Sequence, residues 1–300
     1  MPKTVTGRII KSLGGFYYVE SAGLVYECRG RGSLRSRGLT PTVGDECAVT
    51  VWENGLCSVD DISPRKNILA RPAIANLDRL FVVVSSTSPR PNLLTIDRLI
   101  AACEWNDIEP SLIMTKLDLG DLSSMAQIYS SSGFKVWMID YRDDSSLESL
   151  KEDMKGHISA FAGNSGVGKS TLLNALCPSL SQQTGETSRK LGRGRHTTRS
   201  VELFDLPFGG KIADTPGFSS FDNGLGANIP EDQIQFCFRE FSDYLGKCKF
   251  SSCAHTVETG CAVLAAMESG VINPSRHKSY LTMRAEMKDE KTKSTKKEDG

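Results

Sequence analysis

The sequence has little of several residue types and contains no long apolar run. It has four histidines and three tryptophans in 300 residues, and 36 basic side chains balance 36 acidic ones to give a formal net charge of +0. No apolar run reaches the roughly 20 residues that span a bilayer, and the N-terminal segment lacks the core of a signal peptide. We therefore expect a cytoplasmic protein with no membrane segment. Any nucleic-acid contact must come from a local basic patch, because the whole chain carries no positive field.

The nine cysteines are an odd number, and without a secretory signal we expect them to be reduced. Only the last three lie close together, and with one histidine they form the pattern C-x₄-C-x-H-x₅-C over Cys248, Cys253, His255 and Cys261. Three thiolates and an imidazole make a closed tetrahedral zinc site, which is structural because no position remains for water. The spacing differs from that of common zinc fingers, so Cys237 or Cys57 could replace one ligand.

Residues 1–70 are predicted to form a small antiparallel barrel of the oligonucleotide-binding (OB) type. Four segments with alternating apolar residues are separated by breakers such as Gly14-Gly15 and Asn54-Gly55. Between two of these strands lies a predicted flexible loop that carries Arg29, Arg31, Arg35 and Arg37. This loop is either a solvated connection or a contact to an RNA phosphate backbone.

Residues 71–224 are predicted to form an α/β domain with a mostly parallel sheet. A continuous apolar strand, LDRLFVVVSS, starts the domain, and helices with apolar residues at helical spacing then alternate with further buried strands. The strands stop near residue 224, and residues 225–287 are predicted to be a mainly helical zinc-binding domain. The mixed-charge segment 288–300 is expected to be disordered.

A phosphate-binding loop, GNSGVGKS, starts at Gly163 and follows a predicted strand. Its glycines let backbone N–H groups turn toward phosphates, and the helix that follows adds positive potential. Lys169 is expected to reach the β- and γ-phosphates, and Ser170 to bind Mg²⁺. The expected nucleotide contacts in this loop are Gly163, Asn164, Ser165, Gly166, Val167, Gly168, Lys169, Ser170 and Thr171.

A second strand ends in Asp214-Thr215-Pro216-Gly217, about 45 residues after the phosphate loop. Asp214 is expected to hold the Mg²⁺ shell, and the Gly217 N–H to bond the γ-phosphate and so respond to hydrolysis. The polar segment between the two motifs is predicted to be a mobile loop, in which Thr197 or Thr198 could complete the Mg²⁺ coordination.

The tetrapeptide TKLD, residues 115–118, follows another buried strand. Asp118 can accept hydrogen bonds from the ring N–H and exocyclic amine of guanine, a donor pair that adenine lacks. Thr115 is expected to brace the loop, and the stem of Lys116 to pack on the base. Guanine recognition usually follows the phosphate loop, whereas here it precedes it.

The order TKLD, GNSGVGKS, DTPGF is that of circularly permuted GTPases. Together with the predicted barrel and the cluster CKFSSCAHTVETGCAV, this order makes the chain closely resemble the ribosome small-subunit-dependent GTPase A family (RsgA/YjeQ type). The resemblance covers residues 5 to about 285. It implies GTP hydrolysis that is stimulated by the small ribosomal subunit and its 16S rRNA, a role in late subunit maturation, and bound GTP or GDP with Mg²⁺ and one structural zinc. We expect a monomer. A base-supporting Ser-Ala loop is expected near 138–141, where this chain has MIDY.

No motif of the sequence identifies the group that orients the attacking water. The DTPG motif is followed by Phe218, and an apolar ring cannot orient a water molecule. His196 or a group from the ribosome must do so, although His196 could instead contact rRNA or solvent. Thr198 is favoured for Mg²⁺ because the run TTR resembles that of related translation GTPases. Two alternatives stay open: an RNA-binding module gated by nucleotide, with incidental turnover, and an ATP-dependent enzyme.

Overall fold

The computed structural model describes residues 2–178, 201–214 and 229–298. Its N-terminal part is a five-stranded barrel, as predicted, although its third and fifth strands pair in parallel where the sequence predicts an antiparallel barrel. The long first strand pairs with the second and the fourth, and the fifth pairs with the third, so the sheet closes on itself. Buried side chains such as Ile9, Val19 and Val49 fill the interior. The strands are β1 (Lys3–Leu13), β2 (Phe16–Ser21), β3 (Leu24–Gly30), β4 (Glu46–Val51) and β5 (Cys57–Ile62).

The arginine-containing segment after β3 differs from the flexible loop that the sequence predicts. It contains a short helix, α1 (Gly32–Ser36), whose Leu34 side chain is buried against the barrel. This apolar anchor, which the glycines and serines do not indicate, attaches the segment to the core of the barrel.

A short hairpin follows the barrel, and the sequence pattern did not predict it because three-residue strands are too short to show periodicity. It consists of β6 (Ile68–Ala70) and β7 (Ala73–Ala75). The Ala75 N–H donates to the Val43 carbonyl over 2.8 Å. Gly44 lies so close that a Cβ there would be 1.9 Å from the Ala75 carbonyl oxygen, so only glycine fits. The hairpin thus packs tightly on the barrel.

The central part is an α/β domain built on the strand order β10-β9-β8-β11-β13-β12. Five of these strands are parallel, and β12 is an antiparallel edge that the sequence did not predict. The strands are β8 (Arg79–Ser85), β9 (Glu109–Thr115), β10 (Lys135–Met138), β11 (Ile158–Ala162), β12 (Glu202–Asp205) and β13 (Lys211–Asp214). The helices are α2 (Leu93–Trp105), α3 (Ser123–Ser131), α4 (Asp144–Met154) and α5 (Lys169–Leu176).

The barrel and the α/β domain share one sheet, because β12 pairs with β1 at Glu202 and Lys11. The Lys11 ammonium lies 2.9 Å from the Glu202 carboxylate. A second ion pair joins Lys211 to Glu20 of the barrel. The edge strand therefore ties the two parts together.

The C-terminal part has two 3₁₀ turns (Ile234–Cys237 and Arg239–Phe241) and two helices, α6 (Ala262–Glu268) and α7 (Pro274–Glu298). Phe238, Phe241 and Tyr280 form its aromatic core. Helix α7 continues through residues 288–298, where the sequence analysis expects disorder. Lysine and glutamate are good helix formers, and a helix that is already nucleated by packing extends at little cost.

A buried ionic cluster holds the C-terminal part against the α/β domain. Arg276 of α7 is only 1% exposed, and it donates to Asp97 of α2 over 2.5 Å and to Glu240 over 2.6 Å. Asp97 also accepts from the Tyr129 hydroxyl over 3.0 Å. The guanidinium lies 4.7 Å from the centre of the Phe238 ring. Because every charge in the cluster has an opposite partner, the contact is specific as well as buried.

Among the residues that the structure describes, no helix is both long enough and apolar enough to cross a membrane.

Candidate functional site

The candidate nucleotide site lies at the carboxyl edge of the parallel sheet, where two described loops follow β9 and β11 and where Asp214 ends β13. These strands lie close together in the sheet although TKLD precedes the phosphate loop in sequence. In a parallel sheet the carboxyl ends of all strands face the same edge, where ligands usually bind. The fold therefore brings together motifs that stand in an unusual order along the chain.

The phosphate loop joins β11 to α5 with the backbone that its glycines allow. Gly163 has φ = 147°, and a Cβ there would lie 2.5 Å from the Val83 carbonyl oxygen. Gly168 has φ = 103° and stands directly before α5. Ser165, Gly166, Ser170 and Thr171 are exposed on the open side, whereas Val167 is buried beneath the loop. The loop thus presents its backbone and hydroxyl groups to a ligand.

Lys169 lies at the start of α5 and points into the phosphate loop. Its ammonium donates to the carbonyls of Gly163 over 2.6 Å and Asn164 over 2.8 Å. Burial lowers the pKa of Lys169 from its ordinary value. A phosphate group would offer stronger acceptors than these two carbonyls, and its charge would offset the desolvation.

Thr115, at the end of β9, connects the TKLD loop to the phosphate loop. Its buried hydroxyl donates to the Val167 carbonyl over 2.6 Å and lies 3.2 Å from the Val84 carbonyl. The next residue, Lys116, has the left-handed φ of 56°, and its carbonyl accepts from the Ser86 hydroxyl. This turn leaves Asp118 exposed at the mouth of the site.

The third side of this mouth is the segment after β10, at the position where the sequence analysis expects a base-supporting loop. An open cavity of about 210 Å³ lies between Lys116–Asp118 and Ile139–Arg142. Arg142 holds Asp140 in a two-pronged ion pair, with contacts of 2.9 and 2.7 Å. The pair lowers the pKa of Asp140 to about 2. Sequence analysis missed this pair, although the spacing of the two opposite charges offers a signal for it.

Asp214 ends β13, next to the strand that leads into the phosphate loop. Its cross-strand partner is Glu202. Desolvation and the facing Glu202 carboxylate raise the pKa of Asp214. Glu202 is itself paired with Lys11, whereas Asp214 stands at the strand end beside the phosphate loop, where a carboxylate could hold a divalent metal. His196, Thr197, Thr198 and Gly217 lie outside the described residues.

Four metal-ligating side chains meet in the C-terminal part. The donor atoms of Cys248, Cys253, His255 and Cys261 all lie within 4.8 Å of one another. Cys237 is buried elsewhere in the same part, and Cys57 lies in the barrel. Within the described residues, the four residues of the predicted pattern converge, and the two alternative cysteines do not join them.

The surroundings of this cluster fit a metal ion. The Nδ1 atom of His255 faces the Cys261 sulfur at 3.3 Å, while Nε2 lies 2.9 Å from the Gln235 side-chain oxygen. A bond from the second ring nitrogen fixes a histidine ligand in the tautomer that can bind metal. Burial lowers the pKa of His255, which favours its neutral, ligating form. Burial raises the pKa of Cys253 to about 12, so a bound cation would be needed to hold its thiolate.

Backbone bonds shape the loop that carries these ligands. The Glu258 carboxylate accepts from the N–H groups of Ala254, Thr256 and Val257 over 2.9, 2.7 and 3.0 Å. Although burial acts to raise it, these bonds lower the pKa of Glu258 to about 2. Sequence analysis identified the ligands but missed Glu258 and Gln235, since neither belongs to the ligand spacing.

The four arginines of the barrel do not share one environment. Arg31 lies 3.1 Å from Asp60, and Arg37 lies 2.9 Å from Asp61. Arg29 stands on β3, and Arg35 stands on α1. In the described part of the chain, neither of these two has a carboxylate partner.

Comparisons with known proteins agree with this architecture. A family model described as "RsgA GTPase" matches residues 62–224, and one described as "RsgA N-terminal domain" matches residues 6–57. Proteins named "Small ribosomal subunit biogenesis GTPase RsgA" are 43% identical over 287 residues in Alkaliphilus metalliredigens and 45% identical over 283 residues in Streptococcus pyogenes. The first alignment covers 94% of this chain and 97% of the relative, and the second covers 94% and 95%.

Two solved structures show the same fold. YloQ, described as a circularly permuted GTPase, has a TM-score of 0.79 and 34% identity, with 96% of each chain covered. YjeQ from Thermotoga maritima has a TM-score of 0.81 and 32% identity, with 95% of this chain and 99% of that chain covered. The motifs, the permuted sheet and the family matches lead to one assignment: this chain belongs to the RsgA GTPase family.

Proposed function

We propose that this protein hydrolyses GTP on the small ribosomal subunit during a late step of the subunit's maturation, and that binding to the subunit stimulates the hydrolysis. The observation that carries the nucleotide part is the hydrogen bond from Thr115 to Val167, which joins the TKLD loop to the phosphate loop. The relatives' names, which specify small-subunit biogenesis, support the ribosomal part. We further propose that the protein acts as a monomer in the cytoplasm.

The guanine base would lie in the cavity beside Asp118. The carboxylate accepts from the ring N–H and the exocyclic amine, and the Lys116 stem covers one face of the base. With adenine the carboxylate would be desolvated without its two donors, and losses of this kind discriminate by about 10⁴–10⁵. Because adenine cannot donate these two hydrogen bonds, the site selects guanine.

The phosphates would lie on the loop from Gly163 to Thr171. Its N–H groups and the start of α5 bind the negative oxygens, and Lys169 exchanges its two carbonyl partners for the β- and γ-phosphates. Ser170 and Asp214 would hold Mg²⁺, together with Thr198. When bound, that ion would supply positive charge that offsets the charge developing on the phosphate group.

Slow turnover in isolation is expected from the residue after DTPG. Phe218 cannot accept or donate a hydrogen bond, so this position cannot orient the attacking water. We propose His196 for this task, and Gly217 as the group that responds to loss of the γ-phosphate.

The other two parts would bind the subunit's 16S rRNA. The barrel offers unpaired arginines, and the C-terminal part is rigidified by zinc on Cys248, Cys253, His255 and Cys261. This zinc is structural, because four protein ligands leave no position for water. Helix α7 and Arg276 attach the zinc-binding part to α2 of the GTPase domain, so these two parts can approach the rRNA together.

The decisive experiment measures phosphate release from GTP with and without purified small subunits. We expect at least a tenfold increase in kcat on addition of small subunits, and none with large subunits as the matched control. Equal rates in all three reactions would contradict the ribosomal part of the proposal. Absence of GTP binding would contradict all of it.

A further inference from the structure

An open cavity of about 390 Å³ lies on the barrel, between the β1–β2 turn, β3 and α1. Two aromatic and three basic side chains line it: Phe16, Tyr17, Arg29, Arg31 and Arg35. Its lining includes no acidic residue. The volume lies within the range of about 300–1,000 Å³ that is usual for small-ligand sites. The cavity is far from neutral, although the chain as a whole has no net charge.

The aromatic wall of this cavity is held in place by strand pairing. Phe16 stands directly opposite Arg29 in the β2–β3 ladder, and the Arg29 guanidinium lies 4.8 Å from the centre of the Phe16 ring. Tyr17 lies against the backbone of Gly30, where a Cβ would come within 3.3 Å of its ring. Both rings are only partly buried, so each still presents apolar surface to the cavity.

The three arginines of the cavity differ in whether a nearby carboxylate neutralises them. Arg31 is neutralised in part by Asp60 at 3.1 Å. Arg29 and Arg35 have no carboxylate partner in the described ranges, and both are exposed. Two unpaired guanidinium groups beside two ring surfaces match a ligand with an anionic backbone and a flat aromatic part.

We propose that this cavity holds one unstacked nucleotide of a single-stranded RNA segment. Its base lies on the Phe16 ring, beside the part of the cavity wall that Tyr17 forms, and the adjoining phosphates pair with Arg29 and Arg35. A duplex does not fit this arrangement, because its bases are stacked and cannot present a face to the rings. The inference rests on the proposed function, to which it adds the class of RNA that the barrel recognises and the residues that recognise it.

The test is fluorescence anisotropy of a labelled ten-nucleotide single strand and of a duplex of equal length, with the full chain saturated with GDP. The single strand should bind at least about tenfold more tightly. Phe16→Leu should weaken its binding by about tenfold, which is about 1.4 kcal/mol and within the range for loss of one stacked base. Because no phosphate contact is lost, the slope of log affinity against log salt should stay unchanged.

Arg29→Ala and Arg35→Ala should each weaken binding of the single strand. Each should also reduce the slope of log affinity against log salt by about 0.7, the value for one phosphate contact in a single strand. Arg71→Ala is the charge-matched control, since it removes an exposed arginine of the adjoining hairpin that does not line the cavity. It should change the affinity less than about twofold. Thermal melting of each variant checks the fold. If Phe16→Leu unfolds the barrel, Arg35→Ala still tests the proposal, because it replaces an exposed side chain.

Wild-type affinity in folded Arg29→Ala and Arg35→Ala, or equal binding of duplex and single strand, would overturn the proposal. Competition by free AMP as effective as by RNA would also overturn it and identify a mononucleotide site. Stimulation of GTP hydrolysis by small subunits is measured separately on the wild-type protein. If that stimulation persists while the RNA test fails, only this inference is lost; if it is absent, the proposed function itself fails.

Discussion

The Thr115 hydroxyl donates a hydrogen bond of 2.6 Å to the Val167 carbonyl. These residues are 52 positions apart, and they belong to the two loops that would bind the base and the phosphates of one nucleotide. The bond fixes the distance between the loops, although the chain enters the base loop first. A circular permutation can preserve a site because strand adjacency, not chain order, sets its geometry.

Thr115→Val should weaken GDP binding by about 5- to 10-fold. Valine keeps the volume but removes the donor, which leaves the Val167 carbonyl without its partner at a cost of about 1–3 kcal/mol. Titration calorimetry with GDP measures the effect. Thr282→Val is the control, because that hydroxyl donates to the Lys278 carbonyl within α7 and not to a loop of the site. An unchanged affinity in Thr115→Val would show that the bond does not position the two loops.

Arg276→Met should destabilise the protein by about 3–5 kcal/mol, since it leaves Asp97 and Glu240 buried without their cation. The midpoint of urea unfolding reports this change, because the cluster joins α2 to the C-terminal part. Arg98→Ala removes an exposed partner of Glu286 in the same interface and should cost no more than about 1 kcal/mol. Similar losses in the two variants would mean that the buried cluster does not hold the parts together.

Purified protein should contain one zinc ion per chain, and Cys253→Ser should lower this to well below one. A structural zinc site contributes about 10–16 kcal/mol of apparent binding energy, so chelation should also lower the melting temperature. Elemental analysis by mass spectrometry gives the zinc content. Cys237→Ser removes a thiol of the same part that lies outside the cluster and should retain the metal. A metal-free wild-type protein would refute the zinc assignment.

His196→Ala should abolish the turnover that small subunits stimulate and leave GTP affinity almost unchanged. The imidazole is proposed to orient water in the transition state, so its loss affects kcat and not ground-state binding. Single-turnover hydrolysis on saturating subunits separates the two effects. Stimulated kcat equal to that of the wild type would remove His196 from the mechanism.

The parts of the site that could be predicted are those encoded by local spacing. The glycines and Lys169 of the phosphate loop, Asp118 after its strand, and the Cys-His pattern each require fixed residues at short separations. Their elements follow from clear periodicity, and the structure confirms the barrel, the alternating α/β domain and the convergence of the four metal ligands.

The parts that could not be predicted depend on distant partners. Arg276 meets Asp97 across 179 positions, and Gln235 meets His255 across 20, so no sequence spacing indicates either pair. The edge strand β12 has only four residues, too few to show a period. The arginine segment looked like a loop because its single anchor, Leu34, stands alone among polar residues.

That TKLD is the base-recognition loop of this site is tested most directly by the nucleotide preference of Asp118→Asn. Xanthine carries a carbonyl where guanine has its exocyclic amine, and an asparagine amide can donate to it. We predict that GTP affinity falls at least about 100-fold while XTP becomes the preferred nucleotide. Asp121→Asn, a nearby exposed carboxylate that accepts from Ser123, should keep the wild-type preference. Undiminished GTP binding by Asp118→Asn, with no gain for XTP, would contradict the assignment.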